Sequence, residues 1–178
     1  MTQIANAYAQ GLYDLARAEG LTETVLGQLQ VLQAAFDKEP MFGRLLSSPK
    51  LTKEERLSVV DNSFREKVHP YVLNFLKILT ERGYAAYFSE CCKAYRNYYN
   101  EDNGILPVKA VTAVSLTQTQ WEKLAAKLEA ITGKRIELSN KVDPACLGGV
   151  RLDYDGKRVD GTVKTRLDGI AAALQNTV

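Results

Sequence analysis

The single histidine, His69, is the first residue to consider for chemistry, because a Ser-His-Asp triad or a histidine-rich metal site would have to use it. It stands directly before Pro70, and no serine or cysteine lies in a recognisable nucleophile motif. Proline suits the first position of a helix, so we interpret His69 as a solvent-facing residue before a helix start. The sequence therefore favours neither triad catalysis nor a histidine metal site.

Thiol chemistry is the next possibility, since the chain has 3 cysteines and two of them, Cys91 and Cys92, are adjacent. The pair lacks the two-residue spacer of a thioredoxin-like motif, and Cys146 stands alone. Neighbours on a helix point about 100° apart, so we expect at most one of the pair to lie squarely on an apolar stripe. An odd number of cysteines argues against a disulfide framework and indicates a reducing compartment. We predict packing roles for these thiols.

Two short segments near the C-terminus resemble phosphate or cation sites only superficially. Gly148-Gly149 opens neither a GxxxxGK[ST] nor a GxGxxG pattern and precedes a predicted strand, so we expect a turn or bulge there. Asp153, Asp155 and Asp160 do not have the spacing of an EF-hand loop, and Asp155-Gly156 predicts a hairpin turn instead. Acidic residues are interleaved with the nearby basic ones, which predicts a solvated face of mixed charge around Lys157, Arg158, Lys164 and Arg166.

The composition narrows the function classes further. The chain has 178 residues, 46% of them hydrophobic, with 23 Lys+Arg against 21 Asp+Glu. This apolar content excludes global disorder, and a net charge of +2 gives no strong field for nucleic-acid phosphates. No stretch reaches the roughly 18 apolar residues of a membrane span. The start of the chain does not resemble a secretory signal, since no basic residue precedes Arg17.

The elements that must position any site change in type near residue 103. Residues 1–103 contain 13 β-branched residues, whereas the remaining 75 positions contain 19. Because β-branched residues favour strands, this shift predicts helices first and strands later. The polar run at 99–104 ends in a glycine and is typical of a helix end and linker. We therefore predict two domains, 1–103 and 104–178.

Residues 1–103 predict an antiparallel bundle of six helices with short connections. Thr22 is a candidate N-cap, and Thr52 with Glu55 fits a capping box. The helix behind Pro70 is apolar on more than one face, so it either lies at the centre of the bundle or docks a partner. The apolar stripes include Ile4, Tyr8, Leu12 and Leu15 on the first helix and Phe88, Cys92, Tyr95 and Tyr99 on the last.

Residues 104–178 alternate between strand and helix patterns in the order β-α-β-β-β-α. Thr117 with Gln120 predicts a capping box, and Gly133 suits the C-terminal cap of the same helix. The predicted fold class is thus mainly α with a smaller α/β part, an N-terminal six-helix bundle followed by a small β-α-β-β-β-α domain. The apolar residues of these elements are Val108, Ala110, Thr112 and Val114 on one face of the first strand, Trp121, Leu124, Leu128 and Ile131 facing inward on its helix, and Val163, Leu167, Ile170 and Leu174 on the last helix.

Several segments, taken in their order and spacing, resemble one family. YAQGLYDLA at 8–16 is similar to a YAxALFxLA helix, and LLSSPKL at 45–51 to an LLxxPxL turn. NFLKILTERG at 74–83 is similar to NFLxLLxExGR, and VTAVSL at 111–116 to the strand before LSxxQ. Residues 148–167 are similar to GGxxxxxGxxxxDGSVxxRL. Over essentially the whole chain, the sequence resembles the δ subunit of the F-type ATP synthase, called the oligomycin-sensitivity-conferring protein in mitochondria.

The chain departs from the family's pattern at a few positions. Tyr84 stands where the family usually has Arg, and Thr162 replaces the usual Ser. Gly11 stands where Ala is common, which costs helix propensity. These departures concern local contacts and not the assignment.

The resemblance implies a structural stator subunit and not an enzyme, with no catalytic residue, metal or cofactor. The N-terminal bundle would grip the N-termini of the α subunits on the α/β catalytic hexamer, and the C-terminal domain would hold the b-type peripheral stalk. This link would resist rotor torque, so that ion flow is coupled to ATP synthesis or hydrolysis. The implied location is the cytoplasmic face of a bacterial plasma membrane, within a large hetero-oligomeric complex, without membrane insertion or nucleic-acid binding.

The resemblance also implies partner-binding residues. In this family one α-subunit N-terminus lies as an amphipathic helix in a groove between the first and fifth helices. By position, the residues that would bind it are Tyr8, Gly11 and Leu12 on the first helix and Ile78 on the fifth. Such a partner would account for the widely apolar fifth helix, through contacts from some of Phe75, Ile78 and Leu79.

Two other function classes stay open on the residues alone. An RNA-associated β/α module with a helical appendage would need a clustered basic face and salt-dependent binding, and the net charge of +2 argues against it. A small enzyme with an unrecognised site would need titratable groups with shifted pKa values in a cleft.

Overall fold

The computed structural model of the protein describes residues 2–48 and 50–163. The chain divides into two compact units, Met1–Tyr99 and Asn100–Val178. Over the described residues it is mainly helical, with one small four-stranded sheet in its second part. The prediction of a helical part followed by a smaller α/β part is confirmed at this level.

The helices of the first part are connected by short turns. A 3₁₀ turn at Ala85–Tyr87 precedes the last of them. The helices are α1 (Gln3–Ala18), α2 (Thr22–Lys38), α3 (Pro40–Leu46), α4 (Lys53–Phe64), α5 (Pro70–Glu81) and α6 (Phe88–Asp102).

Side-chain caps decide where α4 and α5 begin. Glu55 N donates to Thr52 Oγ1 at 3.2 Å, and Thr52 N donates to Glu55 Oε2 at 2.8 Å, so the predicted capping box is confirmed. Before α5, Tyr71 N donates to His69 Nδ1 at 3.3 Å, and Pro70 takes the first helical position as predicted. These bonds satisfy backbone N–H groups that have no partner within the helix.

The predicted N-cap at Thr22 is wrong. Thr22 is the first residue of α2, and Leu21 takes the cap position without a side-chain hydrogen bond. The reason is that the first hydrogen bond of the helix is donated by Val25 N to the carbonyl of Leu21, at 2.9 Å. The Thr22 carbonyl instead accepts a hydrogen bond from Tyr95 Oη at 3.1 Å.

The buried face of α1 combines alanines with the larger Leu12 and Tyr13. Ala5, Ala9 and Ala16 are fully buried, whereas Leu15, which we placed on the apolar stripe, is 44% exposed. Leu12 of the predicted apolar stripe therefore reaches the core and Leu15 does not. The alanines on the buried face allow neighbouring helices to approach closely. In contrast, α5 gives the core large side chains and buries Val72, Leu73, Phe75, Leu76, Leu79 and Thr80.

The adjacent cysteines both lie in the core. Cys91 is 1% exposed and Cys92 is 5% exposed. The expectation that at most one of them would lie on the apolar stripe is wrong, because the buried face of α6 is wide enough to include Ala94 and Tyr95 as well. Both thiols are free, as is the buried Cys146 in the second unit.

The second unit contains a mixed sheet in the order β2-β1-β3-β4. The β1–β2 pair is parallel and is joined by α7, while β1–β3 and β3–β4 are antiparallel. A 3₁₀ turn at Pro144–Cys146 precedes β3. The elements are β1 (Ile105–Thr112), α7 (Gln118–Thr132), β2 (Arg135–Val142), β3 (Val150–Tyr154) and β4 (Lys157–Asp160).

The predicted helix caps and the predicted hairpin turn of this unit are confirmed. Thr117 and Gln120 form the predicted capping box, and Gly133 ends α7 in the left-handed conformation at φ 66°. Asp155 and Gly156 have φ values of 47° and 69° and join β3 to β4 as a tight hairpin.

Glycine is required at 149, where the chain enters β3. The φ there is +78°, and a Cβ would lie 2.6 Å from the carbonyl oxygen of Gly161. The Gly148-Gly149 pair therefore serves a close approach between two backbone segments and not a phosphate loop.

Val114 was assigned to the first strand and Ile131 to the inward face of its helix, and both assignments are wrong. Val114 lies beyond the end of β1 and is 74% exposed, and Ile131, in the last turn of α7, is 80% exposed. The sequence period thus continues past the end of β1 at Val114, and at Ile131 the helix continues but its side chain is not covered. The predicted last helix, with Leu167, Ile170 and Leu174, lies outside the described residues.

Candidate functional site

A groove of about 340 Å³ lies between α1 and α5 in the first unit, and we call it the α1–α5 groove. The predicted residues Tyr8, Gly11, Leu12 and Ile78 all line it. Its full lining is Ala7, Tyr8, Gly11, Leu12, Leu15, Tyr71, Asn74, Phe75 and Ile78.

Helical spacing explains how the two walls form. The α1 residues that line the groove recur over about two turns of the helix, next to the face whose alanines are buried in the core. The side chains of Tyr8 and Leu15 therefore lie at the edge of that buried face. On α5, Tyr71, Asn74 and Ile78 are spaced by three and four residues and form one stripe. Phe75 belongs both to this lining and to the buried face of α5, whereas Leu76 and Leu79 are buried outside the lining.

The groove has a buried floor and exposed apolar edges. Leu12 and Phe75 are each 5% exposed, whereas Leu15 and Ile78 are 44% and 45% exposed. A Cβ added at Gly11 would have no heavy atom within 4 Å, so the space beside this residue is open. The groove thus offers apolar surface to a partner without disturbing the core.

Two residues behave differently from the expectation. Leu79 was one of the residues considered for partner contact, but it is 0% exposed and belongs to the core. Leu15 was placed on the apolar stripe of the first helix but not among the partner-binding residues, and it lines the groove. The signal that could have found Leu15 is its position four residues after Gly11 on the same helix face.

The chemistry of the lining is apolar. It contains no carboxylate, imidazole, thiol, amine or guanidinium group, and Asn74 supplies its one side-chain amide. Such a surface offers no carboxylate or imidazole for acid–base chemistry or metal binding. It suits the apolar face of an amphipathic helix, with Asn74 and the hydroxyl groups of Tyr8 and Tyr71 available for polar contacts.

His69 caps a helix, and Cys91 and Cys92 are buried in the core, so all three have structural roles. His69 is half-buried rather than fully solvent-facing, and its ring lies 4.8 Å from the ring of Tyr71 while its Nδ1 caps α5. Burial, together with the nearby Glu90 carboxylate, raises the pKa of the Cys91 thiol from 9.0 to about 11. Burial also raises the pKa of Cys92, so neither thiol is poised as a nucleophile.

A larger concavity of about 630 Å³ lies in the second unit beside the β3–β4 hairpin. Its lining is charged, and Arg158 Nε lies 2.8 Å from Asp153 Oδ1. The hydrogen bond from Arg158 lowers the pKa of that carboxyl. Paired charges on an open polar surface are well solvated, so the smaller apolar groove is the candidate site.

Within residues 2–48 and 50–163, no group of three or more His, Cys, Asp or Glu is placed to hold a metal ion.

Comparison with known proteins identifies the family. The model of the family described as ATP synthase delta (OSCP) subunit matches residues 4–174, nearly the whole chain. The chain belongs to the ATP synthase delta (OSCP) subunit family.

Curated relatives agree with the family match. The chain is 34% identical over 164 residues to the ATP synthase subunit delta of Alkaliphilus oremlandii (strain OhILAs), covering 92% of this chain and 91% of the relative. It is 31% identical over 176 residues to the ATP synthase subunit delta of Clostridioides difficile (strain 630), covering 98% and 97%.

The fold also matches a solved structure. A chain of the Toxoplasma gondii mitochondrial ATP synthase hexamer superimposes with a TM-score of 0.77 at 20% identity, covering 98% of each chain. At this identity the match shows the fold alone.

Membership of the delta family defines the role at a coarse level. The protein is a non-catalytic stator subunit of an F-type ATP synthase, a membrane-associated complex that couples ATP synthesis to ion transport. Among the described residues, no helix combines the length and the apolar content needed to cross a bilayer.

Proposed function

We propose that this delta-family protein links the catalytic α/β hexamer to the peripheral stalk, with the α1–α5 groove as its attachment to an α subunit. The observation that carries the proposal is an uncharged groove with exposed Leu15 and Ile78 at its edges, on a chain of this family. The occupant would be an amphipathic α-subunit N-terminal helix that contacts Tyr8, Gly11, Leu12 and Ile78.

The size of the groove supports a single helix as occupant. Its lining residues span about two turns of each wall, which matches the i, i+3, i+4, i+7 anchors of a docked helix. The open space beside Gly11 would admit an anchor side chain of that helix. Leu15 and Ile78 would then lose their exposure to water, which favours association.

The second attachment in the proposal is between residues 104–178 and the b-type stalk subunits. In this proposal, residues 1–103 form a six-helix bundle that binds the catalytic head, and residues 104–178 form a β-α-β-β-β-α domain that binds the stalk. Holding both ends in one chain would resist rotor torque. The protein would lie at the cytoplasmic face of a bacterial plasma membrane, held there through the complex and without inserting into the bilayer or binding nucleic acid.

The test is a calorimetric titration of the full-length chain with a synthetic peptide of the same organism's α-subunit N-terminus. We expect saturable one-to-one binding that Ile78→Glu weakens at least about tenfold, because a carboxylate would have to be desolvated in an apolar contact. Gly11→Arg should weaken binding as well, by filling the open space beside α1.

The matched control is Val31→Glu, which places the same charge on a 71% exposed aliphatic position of α2 outside the groove. It should bind like the wild type. Binding that is lost equally in Val31→Glu, or a folded wild-type chain that does not bind, would contradict the groove assignment.

A further inference from the structure

Tyr84, which lies just outside the groove lining, is attached by its backbone to the end of α5. Gly83 adopts the left-handed conformation at φ 76°, and its N–H donates to Thr80 O at 3.2 Å. The N–H of Tyr84 donates to Leu79 O at 2.7 Å. These two bonds form a Schellman cap, which fixes the backbone of Tyr84 to the same helical turn that carries Ile78.

The side chain of Tyr84 reaches the other wall of the groove. Its ring centroid lies 5.9 Å from that of Tyr8 on α1, with an interplanar angle of 64°. On its other side, the ring of Tyr87 lies 6.1 Å away at 65°. Both contacts are edge-to-face, a geometry that stabilises aromatic pairs beyond the area they bury. Tyr84 therefore joins the C-terminal cap of α5 to a residue that lines the groove from α1.

We propose that Tyr84 is a positioning residue for the α1–α5 groove, and that it acts by holding the Tyr8 ring in the orientation that receives the partner helix. This inference rests on the proposed function of the groove. Without Tyr84, the half-buried Tyr8 ring gains rotamer freedom, which must be lost again when a partner binds.

The experiment titrates full-length variants with the α-subunit N-terminal peptide. Tyr84→Ala should raise Kd about two- to tenfold, the range expected for one lost aromatic pair. Tyr84→Phe should bind like the wild type, because the ring contact needs no hydroxyl group. If Tyr84→Ala does not fold, Tyr84→Leu serves in its place, because it keeps an apolar contact on the helix cap without an aromatic ring.

Tyr98→Ala is the matched control. The Tyr98 ring is half-buried and contacts α1 through Tyr13 at the same centroid distance of 5.9 Å, but it is not part of the groove lining. This variant should lose stability comparably and keep wild-type affinity for the peptide. A weakening by Tyr98→Ala equal to that by Tyr84→Ala would mean that general loosening of α1 is responsible, and would overturn the inference.

A double-mutant cycle tests whether Tyr84 acts through Tyr8. If it does, Tyr84→Ala changes Kd little in a chain that already carries Tyr8→Ala. An undiminished effect in that background, or wild-type affinity of the single Tyr84→Ala variant, would overturn the inference. Either result would overturn the inference alone and leave the proposed function standing, provided that the wild type binds the peptide and Ile78→Glu does not. A wild-type chain that does not bind would overturn both.

Discussion

At the scale of single residues, burial changes the acid–base chemistry of Cys91. Burial raises the pKa of its thiol from 9.0 to about 11. The folded chain therefore keeps the proton to a higher pH than the unfolded chain does. The stabilisation is complete below pH 9 and is lost as the pH rises towards 11, by at most about 2–3 kcal/mol from this thiol.

We predict that the free energy of unfolding falls between pH 9 and pH 11, and that Cys91→Ala makes this fall shallower. Urea denaturation followed by circular dichroism at a series of pH values measures both slopes. The buried Cys92 and Tyr95, whose pKa values are also raised, should retain part of the pH dependence in the variant. Identical slopes in wild type and Cys91→Ala would refute the assignment to Cys91.

The sequence predicted structure correctly at this scale where a residue type determines the conformation of its own backbone. Asp155 and Gly156 were expected at a hairpin turn and have the positive φ values of one. It failed for Cys91 and Cys92, because a spacing rule gives the angle between two side chains and not the width of the surface that covers them.

At the scale of elements, α5 carries two functions on neighbouring residues. Leu79 is 0% exposed and belongs to the core, whereas Ile78 is 45% exposed and lines the groove. We predict that Leu79→Ala lowers the free energy of unfolding by about 2–5 kcal/mol, and that Ile78→Ala lowers it by less than about 1 kcal/mol. Urea denaturation of the two variants checks this order.

The order should reverse for binding of the α-subunit peptide. Ile78→Ala removes a contact at the interface, whereas a folded Leu79→Ala chain keeps the lining intact. The two substitutions serve as controls for each other, because they differ by one position on the same helix. Equal losses of stability would contradict the division of α5 into a core face and a groove face.

For α1, the apolar pattern predicted a helix correctly but not which face would be buried. The predicted apolar stripe was Ile4, Tyr8, Leu12 and Leu15, whereas the buried residues are Ala5, Ala9, Leu12, Tyr13 and Ala16. Alanine has too little apolar surface to dominate a hydrophobic pattern, but it allows the closest helix approach. Tyr8 and Leu15 line the groove beside the buried Leu12, and the family resemblance had independently placed Tyr8 and Leu12 there.

At the scale of the whole molecule, a stator subunit acts mechanically, so attachment matters and turnover does not. In membranes whose ATP synthase has been stripped of this subunit, adding back the wild-type chain should restore ATP-driven proton pumping. We predict that Ile78→Glu restores it poorly, because one attachment is weakened, while ATP hydrolysis continues. Quenching of a pH-sensitive dye in the vesicles reports pumping.

The control for this measurement is Val31→Glu, which should restore pumping as well as the wild type does. Full restoration by Ile78→Glu would show that the groove is not needed for attachment, and would refute the proposed role at this scale.

The sequence by itself determined the features whose causes lie within a few residues. The capping boxes at Thr52 and Thr117, the left-handed Gly133 and the change from helices to strands all follow from local backbone preferences. The family was recognisable from motif order and spacing, and the match over residues 4–174 bears this out.

Only the tertiary structure decided which apolar residues meet the core and which meet water. Exposure of Leu15, Ile78 and Ile131 depends on how closely elements from elsewhere in the chain approach, and no local pattern encodes that distance. The Tyr8–Tyr84 contact joins residues 76 positions apart in the sequence and depends on the Schellman cap of α5 for its geometry. Packing is a property of pairs of surfaces, so the groove became visible only when both of its walls were in place.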